Sequence, residues 1–273
     1  MEDFDYKKLE VVFEDNHIIV VVKPQNIPSQ GDASNDKDML SIVKDYLVDK
    51  YNKPGEAYVG LIHRLDRPTG GVMVFAKTSK AAQRLCEEIK NGEFSKKYLC
   101  VCCGEPKDKN ATLVNYLKKN QAKNIVNVVP MMTEDAQRAE LEYSVIDTIQ
   151  GFSLVKVHLI TGRSHQIRVQ MAAIGCPLFG DQKYGADSKT FKHNLGLWST
   201  EIRLVHPVTK ENMTFIVHPP KEEVPWKAYD ISRFLNVGLA VSPYEIINDM
   251  KNQIDEKNTD RKENFKRKRY NNY

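Results

Sequence analysis

Several absences narrow the class of this chain before any motif is read. Cysteine is sparse: Cys86, Cys100, Cys102, Cys103 and Cys176 form an odd set with no CxxC pair and no histidine at zinc-finger spacing. Neither a disulfide framework nor a zinc ribbon is indicated, and the thiols read as small buried hydrophobes suited to a reducing compartment. Long apolar runs are also missing. The longest, Ile18 to Val22 and Gly70 to Ala76, fall far short of the ~20 residues that span a bilayer. The start, Met1-Glu2-Asp3-Phe4-Asp5-Tyr6, has acids where a secretory signal has bases, so a cytoplasmic protein without membrane attachment is expected. Glycine and proline (14 and 12 of 273 residues) are too few for a collagen-like or low-complexity chain. Walker, GxGxxG, HExxH and GxSxG patterns are absent, which removes support for phosphoryl transfer, dinucleotide binding, zinc proteolysis and serine hydrolysis.

What is present is enough to fold without staples. A chain of 273 residues buries roughly 70 to 75% of its unfolded surface. The net charge is only +4, but it is unevenly placed. From Glu256 to Tyr273 there are seven bases and three acids, which accounts for the whole net charge and leaves the body neutral. This tail has almost no aliphatic residues, so residues 236–273 are expected to form an extension that is basic and disordered from about 256, after a folded domain over 1–235. Such an arm would contact phosphate without reading sequence.

Periodicity outlines the fold. Leu9 to Phe13 and His17 to Val22 read as paired strands, and Lys23-Pro24 ends the second. Leu40, Ile42, Val43, Tyr46, Leu47 and Tyr51 have helical spacing. Val72 to Ala76 is a strand without alternation, hence covered on both faces. Thr78-Ser79 caps a helix with a stripe of Ala82, Leu85, Cys86 and Ile89, stopped at Asn91-Gly92. Strands follow at Tyr98 to Cys103, Thr112 to Leu117, Ile125 to Val129, Ala139 to Ile146 and Ser153 to Ile160. Ser164 is expected to cap a helix with Ile167, Met171 and Ile174 on one face, and a closing hairpin pairs Glu201 to Val205 with Met213 to Val217. Many strands with three or four helices predict an α+β fold on a mainly antiparallel sheet.

Two stretches could carry chemistry. Gly60-Leu61-Ile62-His63-Arg64-Leu65-Asp66-Arg67-Pro68-Thr69-Gly70-Gly71 sets one carboxylate between two arginines. Those charges are expected to keep Asp66 ionised, ready as a nucleophile, a base or a cation stabiliser. A turn aspartate serving only its own backbone is the plainer alternative. In Thr161 to Arg168, the side chains of Arg163, His165 and Arg168 gather at a strand-to-helix junction whose free N–H groups suit an anion. Gly180-Asp181-Gln182-Lys183-Tyr184-Gly185 is a Gly-bounded loop that reads as a turn.

Taken in order, these pieces resemble the RluA-type family of RNA pseudouridine synthases over roughly residues 9 to 220. His63 to Gly71 is similar to the family's HRLDxxTSG signature, Lys96 to Gly104 to its KxYxAxVxG strand, Thr161 to Arg168 to its TGRTHQIR segment, and Gly175 to Gly185 to its GxPxxGDxxYG segment. The resemblance implies a mixed α/β core with the site in a central cleft. The implied activity is isomerisation of uridine in ribosomal or transfer RNA, without metal or organic cofactor; a monomer is the default expectation. It implies Asp66 as the catalytic aspartate, Tyr98 as the residue that packs on the base and can help remove the C5 proton, and Arg168 as the partner of Asp66, with Arg163 close enough to compete. Arg64 matches a residue that fills the place of a flipped base. His63, Arg67, Thr69, Arg163, His165 and Gln166 are expected to bind substrate. Gly70 departs from the family's serine, Cys100 and Cys102 stand for its Ala and Val, and no room is expected for an N-terminal S4-like domain. The alternatives are a non-catalytic RNA-binding protein of the same fold and a nucleoside glycosidase. The second needs two flanking carboxylates where this signature offers one.

Overall fold

The computed structural model describes residues 4–185 and 193–231. Within them the compact unit runs through Tyr229, and the expected extension over 236–273 lies outside the described residues. Strands β1 (Val11–Glu14) and β2 (Ile18–Lys23) precede helix α1 (Met39–Lys50). Then come β3 (Gly60–Leu61), β4 (Gly70–Ala76), α2 (Ser79–Asn91) and β5 (Ser95–Cys103). β6 (Asn110–Asn120), β7 (Ile125–Val129), β8 (Gln137–Ile149) and β9 (Phe152–Leu159) lead to α3 (Gln166–Ala173), and β10 (Leu197–Val205) and β11 (Asn212–Ile216) close the unit.

The strands form one sheet in the order β1-β2-β4-β10-β5-β9-β8-β6-β7, with β11 also on β10 and β3 also on β4. The pairs are antiparallel except β4 with β10, parallel over Trp198 against Gly70 and Ser199 against Gly71. The expected α+β class with a mainly antiparallel sheet is the one observed. β4 is buried along its whole length, as its unbroken apolar run requires.

Two of the cores among the described residues sit at different parts of the sheet. Met39, Ile42, Val43 and Leu47 of α1 pack on Ile19, Val21, Met73 and Phe75 of β2 and β4. Ile167 and Met171 of α3 pack on Tyr98, Cys100, Val155, Val157 and Leu141 of β5, β9 and β8. Leu65, between β3 and β4, belongs to the second core, so the loop that follows β3 is anchored by an apolar side chain next to its polar ones.

Some local expectations change. α2 is capped by Thr78 and stopped by Gly92 in the left-handed conformation, as read from sequence. Its buried residues, however, are Ala81, Leu85 and Glu88, and Cys86 is exposed. The helix is rotated because the Glu88 carboxylate accepts the Val205 N–H of β10 at 2.6 Å. β10 starts at Leu197, four residues before the hairpin strand expected from sequence. Its middle, Ser199, Thr200 and Glu201, reads as polar yet is buried, because Ser199 Oγ donates to the Val72 carbonyl at 3.1 Å and Glu201 pairs with Lys97 at 3.0 Å. Ile174 is also more exposed than an apolar-face residue should be.

The parallel pairing leaves no room for a side chain at Gly70 or Gly71. A Cβ on Gly70 would fall 2.7 Å from Trp198 Cε3 and 2.9 Å from Gln25 Cγ, and one on Gly71, at φ +119°, would fall 2.6 Å from the Ser199 nitrogen. Gly70→Ser and Gly71→Ala should each lower the urea-unfolding free energy by about 1–3 kcal/mol, with Gly71→Ala the larger because backbone strain adds to the clash. Combining Gly70→Ser with Trp198→Phe should recover part of the loss, and a double-mutant cycle reads that coupling.

Candidate active site

The loop from β3 to β4 is held by its own backbone carbonyls. Ser29 Oγ donates to the Leu65 carbonyl at 2.7 Å and accepts the Leu65 N–H at 3.1 Å. The Asp66 carbonyl accepts the Thr69 N–H at 2.9 Å. Lys23 Nζ donates to the Arg67 and Thr69 carbonyls at 3.0 and 2.8 Å and to that of Pro24 at 2.9 Å. Gln25 Nε2 donates to the Pro68 carbonyl at 2.9 Å. Every carbonyl from Leu65 to Thr69 therefore has a donor, and most of the donors come from the end of β2 and the segment after it. Sequence reading treated Lys23-Pro24 only as a strand end; the available signal was a lysine closing an otherwise apolar strand. Lys23 is fully buried, and burial pulls its pKa down to about 7 against the favourable charge of Asp66.

This cradle presents the Asp66 side chain to a cleft of about 1630 Å³. Asp66 Oδ2 lies 3.3 Å from Arg168 Nη1 and 4.0 Å from His165 Nε2; Oδ1 accepts no hydrogen bond among the described residues. Arg168, buried on α3, is fixed from the other side by Asp181, whose Oδ2 and Oδ1 accept from Nε and Nη2, both at 2.8 Å. Burial opposes the charge on Arg168, and the carboxylates of Asp181 and Asp66 outweigh it. Asp181 Oδ1 also accepts the N–H groups of Lys183 and Tyr184 at 2.9 and 3.1 Å. So Asp181 is a turn residue, as its loop suggests, and it is also the clamp of Arg168, a role not legible from its Gly-bounded surroundings.

Tyr98 is buried among the lining residues, and burial, then the charge of Asp66, raises its phenol well above the ordinary range. Arg163 is exposed and turned away, its Nε donating to the Arg138 carbonyl at 3.0 Å, so Arg168 is the arginine beside Asp66. The two arginines that flank Asp66 in sequence behave differently from the expected charge sandwich. Arg67 is drawn to Asp36, to Ser34 at 2.8 Å and to the Asn26 carbonyl at 3.1 Å, and Arg64 is exposed at the cleft.

Of three further expected substrate contacts, Gln166 and His63 are tied into the scaffold by hydrogen bonds and the Thr69 hydroxyl is not. Gln166 Oε1 accepts the Thr161 hydroxyl at 2.8 Å and the Arg163 N–H at 3.0 Å, and its Nε2 donates to the Glu140 carbonyl at 2.9 Å. Thr69 is buried with an unpartnered hydroxyl. His63 Nε2 accepts the Val74 N–H at 3.1 Å, and burial, helped by Lys96, lowers its pKa to about 3. The cap of α3 is not Ser164 but His165, in the left-handed conformation (φ 52°, ψ 20°) with no side-chain cap bond. That conformation, which histidine adopts more readily than most residues, accompanies a ring that lines the cleft beside Asp66 and does not fold back on the helix N–H groups.

A family model described as RNA pseudouridylate synthase matches residues 17–173. The chain therefore belongs to the RNA pseudouridine synthases, isomerases that convert uridine in RNA to pseudouridine, and within them to the RluA type. Among relatives, it is 30% identical over 227 residues to a ribosomal large subunit pseudouridine synthase D of Zymomonas mobilis, covering 78% of this chain and 70% of that one. It is 32% identical over 218 residues to an uncharacterized RNA pseudouridine synthase of Bacillus subtilis, covering 78% and 74%. The fold matches that of human RNA pseudouridylate synthase domain containing 4, with a TM-score of 0.66 at 21% identity over 78% of this chain and 89% of that one.

The depressed His63 predicts an acid-side loss of stability. Above pH 6.5 the ring is neutral in both states. Between 6.5 and about 3 the unfolded chain binds the proton and the folded one does not, so stability falls as pH falls through that window. The slope from one histidine is at most about 1.4 kcal/mol per pH unit. His63→Gln, which keeps an acceptor for Val74, should flatten the pH 6 to 4 limb in urea-unfolding titrations.

Proposed function

We propose that Asp66 is the catalytic carboxylate of a uridine isomerase acting on structured RNA, with Arg168 as its charge partner. The observation that carries this reading is the one-sided engagement of the side chain. Arg168 and His165 face Oδ2, leaving Oδ1 for a reacting sugar in a cleft large enough for an extruded nucleotide. The isomerisation breaks the bond from C1′ to uracil N1, rotates the base, forms the bond from C1′ to C5, and moves the C5 proton to solvent while N1 gains one. Asp66 serves this either by adding to C1′ or by removing the C2′ proton. Both routes need a carboxylate at the sugar, and Arg168 orients it and balances its charge.

Tyr98 packs on the uracil as a neutral phenol. Its raised pKa makes it a surface and a hydrogen donor, not a phenolate base. Arg64, exposed at the cleft, takes the place of the extruded base and offsets part of the few kcal/mol of unstacking.

The charge of the cleft supports RNA as the substrate. Arg64, Lys90, Lys96, Lys119, Arg163 and Lys183 line it, and none of them forms an ion pair among the described residues; the lining acids are Asp32 and Asp66. A nearly neutral body thus concentrates unpaired cations where a polyanion would lie. Ribosomal RNA is the substrate class we favour over transfer RNA, since relatives such as the Zymomonas mobilis protein are named for the ribosomal large subunit. The protein acts in the cytoplasm as a monomer, and the basic tail adds non-specific phosphate contacts.

Tritium release from RNA labelled at uracil C5, taken from source cells lacking the gene, tests the chemistry. Wild type should release label from the ribosomal fraction, and Asp66→Asn should be slower by more than about 10³-fold. Release by both proteins would reject Asp66, and release by neither with RNA binding intact would favour the non-catalytic alternative. In binding titrations, Lys96→Ala should reduce the slope of log affinity against log salt by about one; an unchanged slope would remove Lys96 from the phosphate track.

A further inference from the structure

The loop Gly180 to Gly185 touches both groups that face Asp66 Oδ2. Asp181 holds Arg168, and the Tyr184 ring lies under the same guanidinium, 5.2 Å from its centre. The Tyr184 hydroxyl reaches the second group: Oη is 2.7 Å from His165 Nδ1, with the rings edge to face at 5.7 Å. The opposite ring nitrogen, Nε2, is 4.0 Å from Asp66 Oδ2.

The hydrogens of this chain can be assigned from its end. Tyr184 Oη accepts the Val126 N–H at 2.8 Å, and burial, first among its influences, raises its pKa, so the phenol keeps its hydrogen. A neutral imidazole carries one N–H and one lone pair. If Nδ1 held the hydrogen, it would donate to Oη. The phenol hydrogen would then have no acceptor among the described residues, and the Nε2 lone pair would face a carboxylate oxygen. If the phenol donates to Nδ1, every hydrogen has a partner or a carboxylate ahead of it, and Nε2–H points to the Asp66 side. The ring is neutral near pH 7: burial lowers its pKa to about 4 and Arg168, Lys183 and Lys119 add to that, against the pull of Asp66.

We propose that Tyr184 is a positioning residue that locks His165 in the Nε2–H tautomer, so that the imidazole presents a neutral hydrogen-bond donor beside Asp66. The gap of 4.0 Å is too long for a direct hydrogen bond. Nε2–H is therefore available to a polar atom of the substrate that enters next to the carboxylate, without placing a second full positive charge there. Its catalytic consequence rests on the reading of Asp66 given above.

Tyr184→Phe tests this, because it keeps the ring under Arg168 and removes only the hydroxyl. Long-range nitrogen–proton NMR on histidine-labelled wild type, with the His165 signal assigned by its loss in His165→Asn, should show a bare Nδ1 and a protonated Nε2. In Tyr184→Phe the signal should move toward Nδ1–H. In tritium-release kinetics kcat should fall on the order of tenfold or more with KM for RNA changed less than about twofold, while the thermal unfolding profile stays cooperative. A protonated Nδ1 in the wild type would overturn the proposal without any variant. So would a tautomer that shifts with kcat unchanged, or a kcat that falls with the tautomer unchanged. A wild type that releases no tritium would instead defeat the reading of Asp66, and the wild-type spectrum would still decide whether the lock exists.

Discussion

The site depends on one charge arrangement: the Arg168 guanidinium shared between Asp66 and Asp181. A buried cation with no partner is costly, and removing one member of such a set typically destabilises by about 3–5 kcal/mol. Asp181 takes the two-pronged contact at 2.8 Å and Asp66 the longer one at 3.3 Å. The clamp takes the Nε and Nη2 donors at the structural end and leaves Nη1 to face Asp66, so Asp66 is oriented without being consumed by the pair.

The backbone around Asp66 follows the same rule that buried polar groups need partners. A loop crossing between two apolar cores exposes carbonyls that neither core can satisfy. Lys23, Gln25 and Ser29 supply the donors, and the ammonium of Lys23 matches three carbonyls with its three hydrogens. The parallel contact of β10 with the start of β4 then leaves no volume for side chains at Gly70 and Gly71, because Trp198 and the Ser199 backbone fill it. The glycine pair fits the middle of the sheet as much as the chemistry beside it.

Charge distribution links this frame to the substrate. A net charge of +4 says little about partners. Folding collects cations from α2, β5, β6 and the loops at both ends of α3 onto one cleft, while many acids are spent elsewhere: Glu14 on Lys50 and Lys77, Glu201 on Lys97 and Arg203. What remains unpaired is basic and surrounds Asp66, a pattern suited to a polyanion bent or opened at one nucleotide.

By itself the sequence determined the local matters. Apolar runs, caps and glycine stops outlined α1, α2 and most strands, because these depend on neighbours within a few residues. Four ordered motifs brought Asp66, Tyr98, Arg168 and the 180–185 loop together as one family pattern. Which of those residues meet was decided only by the tertiary structure. Arg67, adjacent to Asp66 in the chain, is drawn off to Asp36, whereas Arg168, far away in sequence, lies against it. Strand β10 hid its polar middle from sequence reading because Ser199 and Glu201 find their partners on β4 and β5. Lys23 and Asp181 read as a strand end and a turn because the Lys23 acceptors lie mainly on the loop from β3 to β4 and the donor that Asp181 clamps lies on α3. Short-range propensity acts through the backbone of each segment; the pairing of buried charges acts through space, and only the folded chain sets that distance.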